Sequence, residues 1–236
     1  MTHTEIKATA DFFARRNKGK IAKELTDPVA YTPSGTPISI FMAGSPGAGK
    51  TEFSKSLIKT FEKSRPRVVR IDGDELREHL PGYTGMNSSV FQGAISLIIE
   101  KMHDLVLQKS QNFILDGTLW KYEKAIKNIE RSLKKKRPVF IFYVYQKPDV
   151  AWDFAKKREV LEGRNIPKQA FIDQFFGSRN TVNKIRSEYG PEVIIYLVKK
   201  DHGKNTVEKL IEIEPGDNID RHIPRGYTKT RLKKDL

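Results

Sequence analysis

The segment Gly44-Ser45-Pro46-Gly47-Ala48-Gly49-Lys50-Thr51 reads GxxxxGK[ST] with no position missing. Glycines let a backbone curl until successive N–H groups point at phosphate oxygens, and a following helix turns the positive end of its dipole toward the same anion. Lys50 then neutralises charge between the β- and γ-phosphates, and the Thr51 hydroxyl is the candidate Mg²⁺ ligand. The loop leaves an apolar run, Ile38 to Ala43, and enters a stretch in which Phe53, Leu57, Ile58 and Phe61 share a helical face. That strand–loop–helix context is the one a phosphate cradle needs. A nucleoside triphosphate site over Gly44 to Thr51 is therefore expected, with ATP and Mg²⁺ as cofactors.

Two further apolar runs end in acid: Val68-Val69-Arg70-Ile71-Asp72-Gly73-Asp74, and Phe113-Ile114-Leu115-Asp116-Gly117. In an open α/β sheet the ligand collects at the carboxyl ends of the strands, which places Asp72 and Asp74 near the γ-phosphate. One of them would orient or deprotonate an attacking hydroxyl and the other would hold Mg²⁺ through water. The alternative is that both merely cap the next helix; the P-loop, which fixes where the phosphates sit, favours the functional reading. Arg77, three residues after Asp74, falls on the same side of the next helix and is a candidate for an anionic acceptor. Farther on, Arg158 and Arg164 flank a glycine-containing bend in the charged segment Lys156 to Arg164. Arginines on a lid can stabilise the charge that develops on a transferring phosphoryl group.

The elements that must hold these groups follow from the apolar pattern. Five β-branched runs (Ile38–Ala43, Val68–Ile71, Phe113–Leu115, Val139–Tyr145 and Val193–Val198) alternate with helical periodicity, as in Ile95, Ile98, Ile99, Met102, Leu105 and Val106. Alternation of this kind predicts an α/β fold of the P-loop NTPase, nucleoside-kinase-like type. Its parallel sheet would have five strands, with helices on both faces and a helical lid over residues 151–187. Residues 1–37 are expected to be an amphipathic helix and a proline-containing linker, residues 38–200 the kinase domain, and residues 201–236 a polar, basic C-terminal segment, partly mobile at its end.

Composition excludes several classes of function. The 236 residues contain no cysteine, so thiolate nucleophiles, disulfides and Cys-ligated zinc are out, and the five histidines show no HExxH-like spacing. No apolar run reaches the ~18 residues of a membrane span, and the N-terminus has no secretory pattern, so a cytoplasmic protein without a membrane partner is expected. The net charge of +14 suits an anionic small-molecule acceptor, an acidic protein or nucleic acid. The densest basic runs, Lys134 to Arg137 and Arg221 to Lys234, are not interleaved with stacking aromatics.

Taken in order, the P-loop, the Asp72-Gly73-Asp74-Glu75-Leu76-Arg77-Glu78-His79-Leu80-Pro81 segment, Asp116-Gly117-Thr118 and the paired lid arginines resemble the zeta-toxin family of P-loop kinases. The resemblance runs from Ile38 to about Ser187. It implies transfer of the γ-phosphate of a nucleoside triphosphate to a UDP-N-acetylamino sugar. Lys50 and Thr51 would hold ATP–Mg, Asp74 would be the general base, and Arg158 and Arg164 would clamp phosphates. Asp116 and Thr118 match that family's acidic-Gly-Thr substrate segment, and with Asp72 and Arg77, read from the strand end and helix spacing, they are the candidate substrate-binding residues. It also implies an acidic antitoxin as partner. The chain departs from the family pattern at Asp116, where Glu is usual, and at Trp120, where Arg is usual. Adenylylsulfate kinase shares the Asp-Gly-Asp-x-x-Arg pattern, polynucleotide 5′-kinases share its Asp-x-x-Arg part, and a nucleic-acid-binding ATPase also fits the charge.

Overall fold

Continuous β-branched runs are stable only where both faces are covered, which draws them into the middle of a parallel sheet. In a computed structural model, which describes residues 2–63, 66–163, 165–201 and 206–236, they form β1 (Ser39–Ala43), β2 (Val68–Asp72), β3 (Asn112–Asp116), β4 (Val139–Tyr145) and β5 (Val193–Lys200). These pair parallel in the order β2-β3-β1-β4-β5. The chain moves from β1 outward to β2 and returns through β3, then crosses to β4 and β5. The strand order therefore reverses beside β1, and a crevice opens at its carboxyl end.

The sheet has six strands rather than the expected five. β6 (Val207–Glu212) pairs antiparallel with β5 at the edge. Its sequence, Val-Glu-Lys-Leu-Ile-Glu, carries three charges, and all but one of its residues are exposed. A short, charged edge strand resists pairing with other chains but leaves no continuous apolar run to read.

The crossover helices are α2 (Lys50–Phe61), α4 (Gln92–Gln108), α5 (Tyr122–Lys134), α6 (Pro148–Glu162) and α7 (Lys168–Tyr189). Side chains alternate along β1: Ile38, Ile40 and Met42 meet Phe53, Leu57, Ile58 and Phe61 on one face, and Phe41 and Ala43 enter the larger core on the other. Burying one such side chain fully is worth about 1.5–3 kcal/mol. In the larger core Trp152 lies edge-on to Phe171 at 5.1 Å, so the lid aromatics are packing groups. α1 (His3–Leu25) begins at a Thr2/Glu5 capping box and lies on α4 through the buried Ala10, Ala14, Ile21 and Ala22.

The basic run Lys134 to Arg137 is not a uniform solvated face. Arg137 is buried at the amino end of the sheet, where its Nη groups donate to the carbonyls of Ile38 and Val106 at 2.7 and 3.2 Å and to that of Gln111. The C-terminal segment is folded onto α7. Ile219, Ile223 and Leu232 are buried, and α8 (Lys229–Asp235) is tied down by a 2.8 Å Lys229–Asp173 pair. No helix among the described residues is long and apolar enough to cross a membrane.

Candidate active site

The loop from Gly44 to Gly49 leaves β1 at the reversal point and opens α2, and its backbone is held on both sides. Gly44 N–H donates to the Thr118 carbonyl at 3.2 Å, which sets the β3–α5 connection beside the cradle. On the other side Gly47 has φ +71°, and a Cβ there would lie 1.9 Å from the Ala151 carbonyl of α6. Only glycine permits that approach. Ser45, Ala48 and Gly49 are buried and Pro46 and Thr51 half-buried, so the cradle is rigid. Lys50 Nζ donates to the Ser45 carbonyl at 2.7 Å.

Charge gathers around this ammonium. Burial lowers the Lys50 pKa, and the nearby Arg158 adds to that. The carboxylates of Asp116, Asp74 and Asp72 oppose it. The structure thus brings together five of the groups picked from the sequence, drawn from α2, β2, the short helix α3 (Gly73–Leu76) that follows it, β3 and α6. α6 can reach the site because its first turns rest on Gly47 and its last turn rests on the segment after β2. Gly85 has φ +82°, and a Cβ there would lie 2.3 Å from the Glu162 carbonyl. Between those anchors Arg158 makes a loose 3.9 Å pair with Glu162, its one ion pair among the described residues. Arg164 lies outside the described residues.

Asp72 and Asp116 are register partners at the ends of adjacent strands. A single guanidinium, Arg70 on β2, holds them together. It pairs with Asp72, with Glu75 and with Asp116 Oδ2 at 2.6 Å. Ser54 on α2 donates to the same Asp116 oxygen at 2.7 Å. Burial would lower the Arg70 pKa, but Asp116, Asp72 and Glu75 hold it above its ordinary value. Burial, together with the field of Asp116, pushes Asp72 up to about 6 despite Arg70. Asp72 also accepts the Asp74 N–H at 2.8 Å, capping α3 (Gly73–Leu76). The cap and the site position therefore coexist in one residue.

Asp74 is more open, with a side chain 37% exposed against 9% for Asp72, and it is paired with Arg77. That pair engages the Arg77 guanidinium, which the sequence offers to an acceptor; a 3.4 Å contact with Gln92 extends it. Thr118 lies beside the cradle, and its neighbour Trp120 packs on α7, where Gly177 abuts it and Thr181 donates to its carbonyl at 3.2 Å.

Arg70 and Ser54 are absent from the candidates read in the sequence. The signal for Arg70 is present there: one charge within Val-Val-Arg-Ile-Asp, two residues before an acid, must find a partner on the same face of a buried strand. Ser54 stands three residues after Thr51 on one helix face but carries no motif.

The family model described as zeta toxin matches residues 21–208. This chain belongs to the zeta toxin family. Zeta toxins are P-loop kinase-like toxins of toxin–antitoxin systems. The match takes in the cradle, both acidic strand ends and α6; most of α1 and the segment after β6 lie outside it. Among solved structures, one from the PezAT chromosomal toxin–antitoxin system of Streptococcus pneumoniae has a TM-score of 0.61 at 17% identity, over 97% of this chain and 88% of that one. Complexes of AvrRxo1-ORF1 with AvrRxo1-ORF2 are also similar. One with sulphate ions gives 0.57 at 11% identity, and one with ATP gives 0.56 at 10% identity; both cover 98% of this chain and 70% of theirs. At these identities the likeness establishes a shared fold.

Proposed function

We propose that this chain transfers the γ-phosphate of ATP to a hydroxyl of a UDP-N-acetylamino sugar. The carrying observation is the placement of Lys50, inside a rigid P-loop, within the fields of Asp74, Asp72, Asp116 and Arg158. Membership of the zeta toxin family supports a phosphotransferase, and a similar structure with bound ATP supports the choice of nucleotide.

In this reading the amides of Gly44 to Gly49 bind the phosphates and Lys50 balances their charge. The Thr51 hydroxyl would hold Mg²⁺, with Asp72 reaching it through water. No cluster of three or more acids or histidines forms a metal cage among the described residues. That donor set fits Mg²⁺, which usually keeps several waters and uses one or two carboxylates with the substrate phosphates. The metal would supply charge neutralisation on the phosphate oxygens. Asp74 accepts the proton of the acceptor hydroxyl, and Arg77 fixes its carboxylate. A loose transition state asks mainly for positioning and late proton removal, which an open, oriented carboxylate provides. Arg158, with Arg164, stabilises equatorial charge. Asp72, Asp116 and Thr118 line the acceptor side, with Asp116 held in place by Arg70. The +14 charge suits an acidic antitoxin as protein partner.

The test offers purified protein γ-labelled ATP with UDP-N-acetylglucosamine, adenylylsulfate, a 5′-hydroxyl oligonucleotide or water. Label on the UDP-sugar is expected. Label only on the oligonucleotide or adenylylsulfate would replace the acceptor, and label only in inorganic phosphate would make the chain an ATPase.

A further inference from the structure

A second concentration of positive charge lies away from the cradle, where residues 218–227 fold over α7. The cleft between them has a volume of about 340 Å³, and Arg179, Asn218, Arg221, Arg225 and Tyr227 are among its walls. α7 separates it from the site above. Gly177 and Thr181 press on Trp120 with one face of that helix, whereas Arg179 and Asn183 meet Ile219 and Asp220 with the other. A helix with its side chains is about 10 Å across. All of the cleft's walls except Arg179 lie outside the residues matched by the zeta toxin family.

The charge balance inside the cleft favours an anion. Its one acid, Asp220, is spent internally: Oδ1 pairs with Arg179 Nε at 3.0 Å and Oδ2 accepts from Asn183 at 3.0 Å. The Arg179 guanidinium lies over the Phe176 ring, 5.3 Å from its centre. Among the described residues Arg221 makes a 3.6 Å pair with Asp217, which is also bound to His222, and donates to the Gly216 carbonyl at 3.3 Å; both contacts are made through Nη1. Arg225 is exposed and makes no ion pair among the described residues. Asn218 Oδ1 is buried without a hydrogen-bond partner, an acceptor waiting for a hydroxyl or N–H. The frame is rigid, because Ile219 and Ile223 are buried and Tyr227 rests on Phe175 at 6.1 Å.

We propose that this cleft is a second anion site, which takes the phosphate of a small phosphorylated molecule on Arg179, Arg221 and Arg225 and a ligand hydroxyl on Asn218. Guanidinium groups match phosphate oxygens in pairs. The volume sits at the lower end for small-molecule sites, which suits a compact phosphorylated sugar or similar molecule better than a polymer.

The test separates this cleft from the P-loop. Protein saturated with Mg²⁺ and a non-hydrolysable ATP analogue is titrated calorimetrically with glucose 6-phosphate, inorganic phosphate or a 5′-phosphorylated oligonucleotide. Glucose 6-phosphate should bind one site per chain, more tightly than inorganic phosphate. The double substitution Arg221→Ala with Arg225→Ala should weaken it about tenfold or more, whereas Lys50→Ala should leave it unchanged. Both arginines are exposed, so the fold is not at risk, and an unchanged melting curve checks that. No saturable binding, binding that survives the double substitution, or binding of the oligonucleotide alone would each overturn the proposal. Each of those results would leave the phosphoryl-transfer assay of the proposed function untouched.

Discussion

The two ends of the parallel sheet handle buried charge in opposite ways. At the carboxyl end Arg70 is answered by carboxylates, and its partners Asp72 and Asp116 stand next to Lys50. At the amino end Arg137 is answered by backbone carbonyls and by the face of the Phe113 ring, with no carboxylate among its described partners, and burial lowers its pKa to about 10. Nearby, Gln111 donates to the Thr26 and Tyr31 carbonyls at 3.1 and 2.6 Å, and Asn112 accepts the Ile38 N–H at 3.0 Å. Backbone partners cannot titrate or move without unfolding the chain, so the amino end is a staple. Carboxylates can take up protons and exchange partners, so the carboxyl end can do chemistry.

Substitution should separate the two ends cleanly, and the largest effect belongs to the cradle. Lys50→Ala should lower phosphoryl transfer by about three powers of ten or more. The melting temperature should barely change, since burial already disfavours that charge. At the staple the pattern inverts. Arg137→Ala strands the buried Gln111 carbonyl and takes one of two donors from each of the Ile38 and Val106 carbonyls. It should cost about 2 kcal/mol or more in urea unfolding, with turnover per folded molecule intact. Loss of turnover without loss of stability there would break the comparison.

The lid comes next. Arg158→Ala and Arg164→Ala should each lower kcat by about two powers of ten, and together by less than the product if both serve one transition state. Wild-type kinetics in both would make α6 an ordinary surface helix. The smallest effect concerns His103, buried against Phe41 and Phe113 and held neutral by burial and by Arg131, with its pKa pushed down to about 3. The unfolded chain binds a proton near pH 6.5 and the folded one does not. Stability from this group is therefore complete above that pH and lost as pH falls toward 3. By pH 5 the loss should be about 2 kcal/mol. His103→Phe, which keeps the ring packing, should flatten that part of the stability–pH curve.

What the sequence discloses tracks how local each constraint is. The P-loop is legible because its function fixes residue types at set spacings within eight positions. The five central strands are legible because burial on both faces demands continuous apolar runs. β6 is not, since half of Val-Glu-Lys-Leu-Ile-Glu is charged and only its pairing with β5 makes it a strand. The Asp72–Arg70–Asp116 assembly joins residues 46 apart in the chain, and no spacing rule reaches across a sheet register. Arg137 reads as one more cation in a basic run because the carbonyls that bury it come from distant segments.

The base assignment is tested most directly by measuring nucleotide affinity and single-turnover phosphoryl transfer on the same preparation of Asp74→Asn. ATP affinity should stay within a few-fold of wild type, while the transfer rate falls by roughly two to four powers of ten. Normal transfer by Asp74→Asn, with Asp72→Asn or Asp116→Asn inactive, would contradict the account and move the base to the Arg70-bound pair.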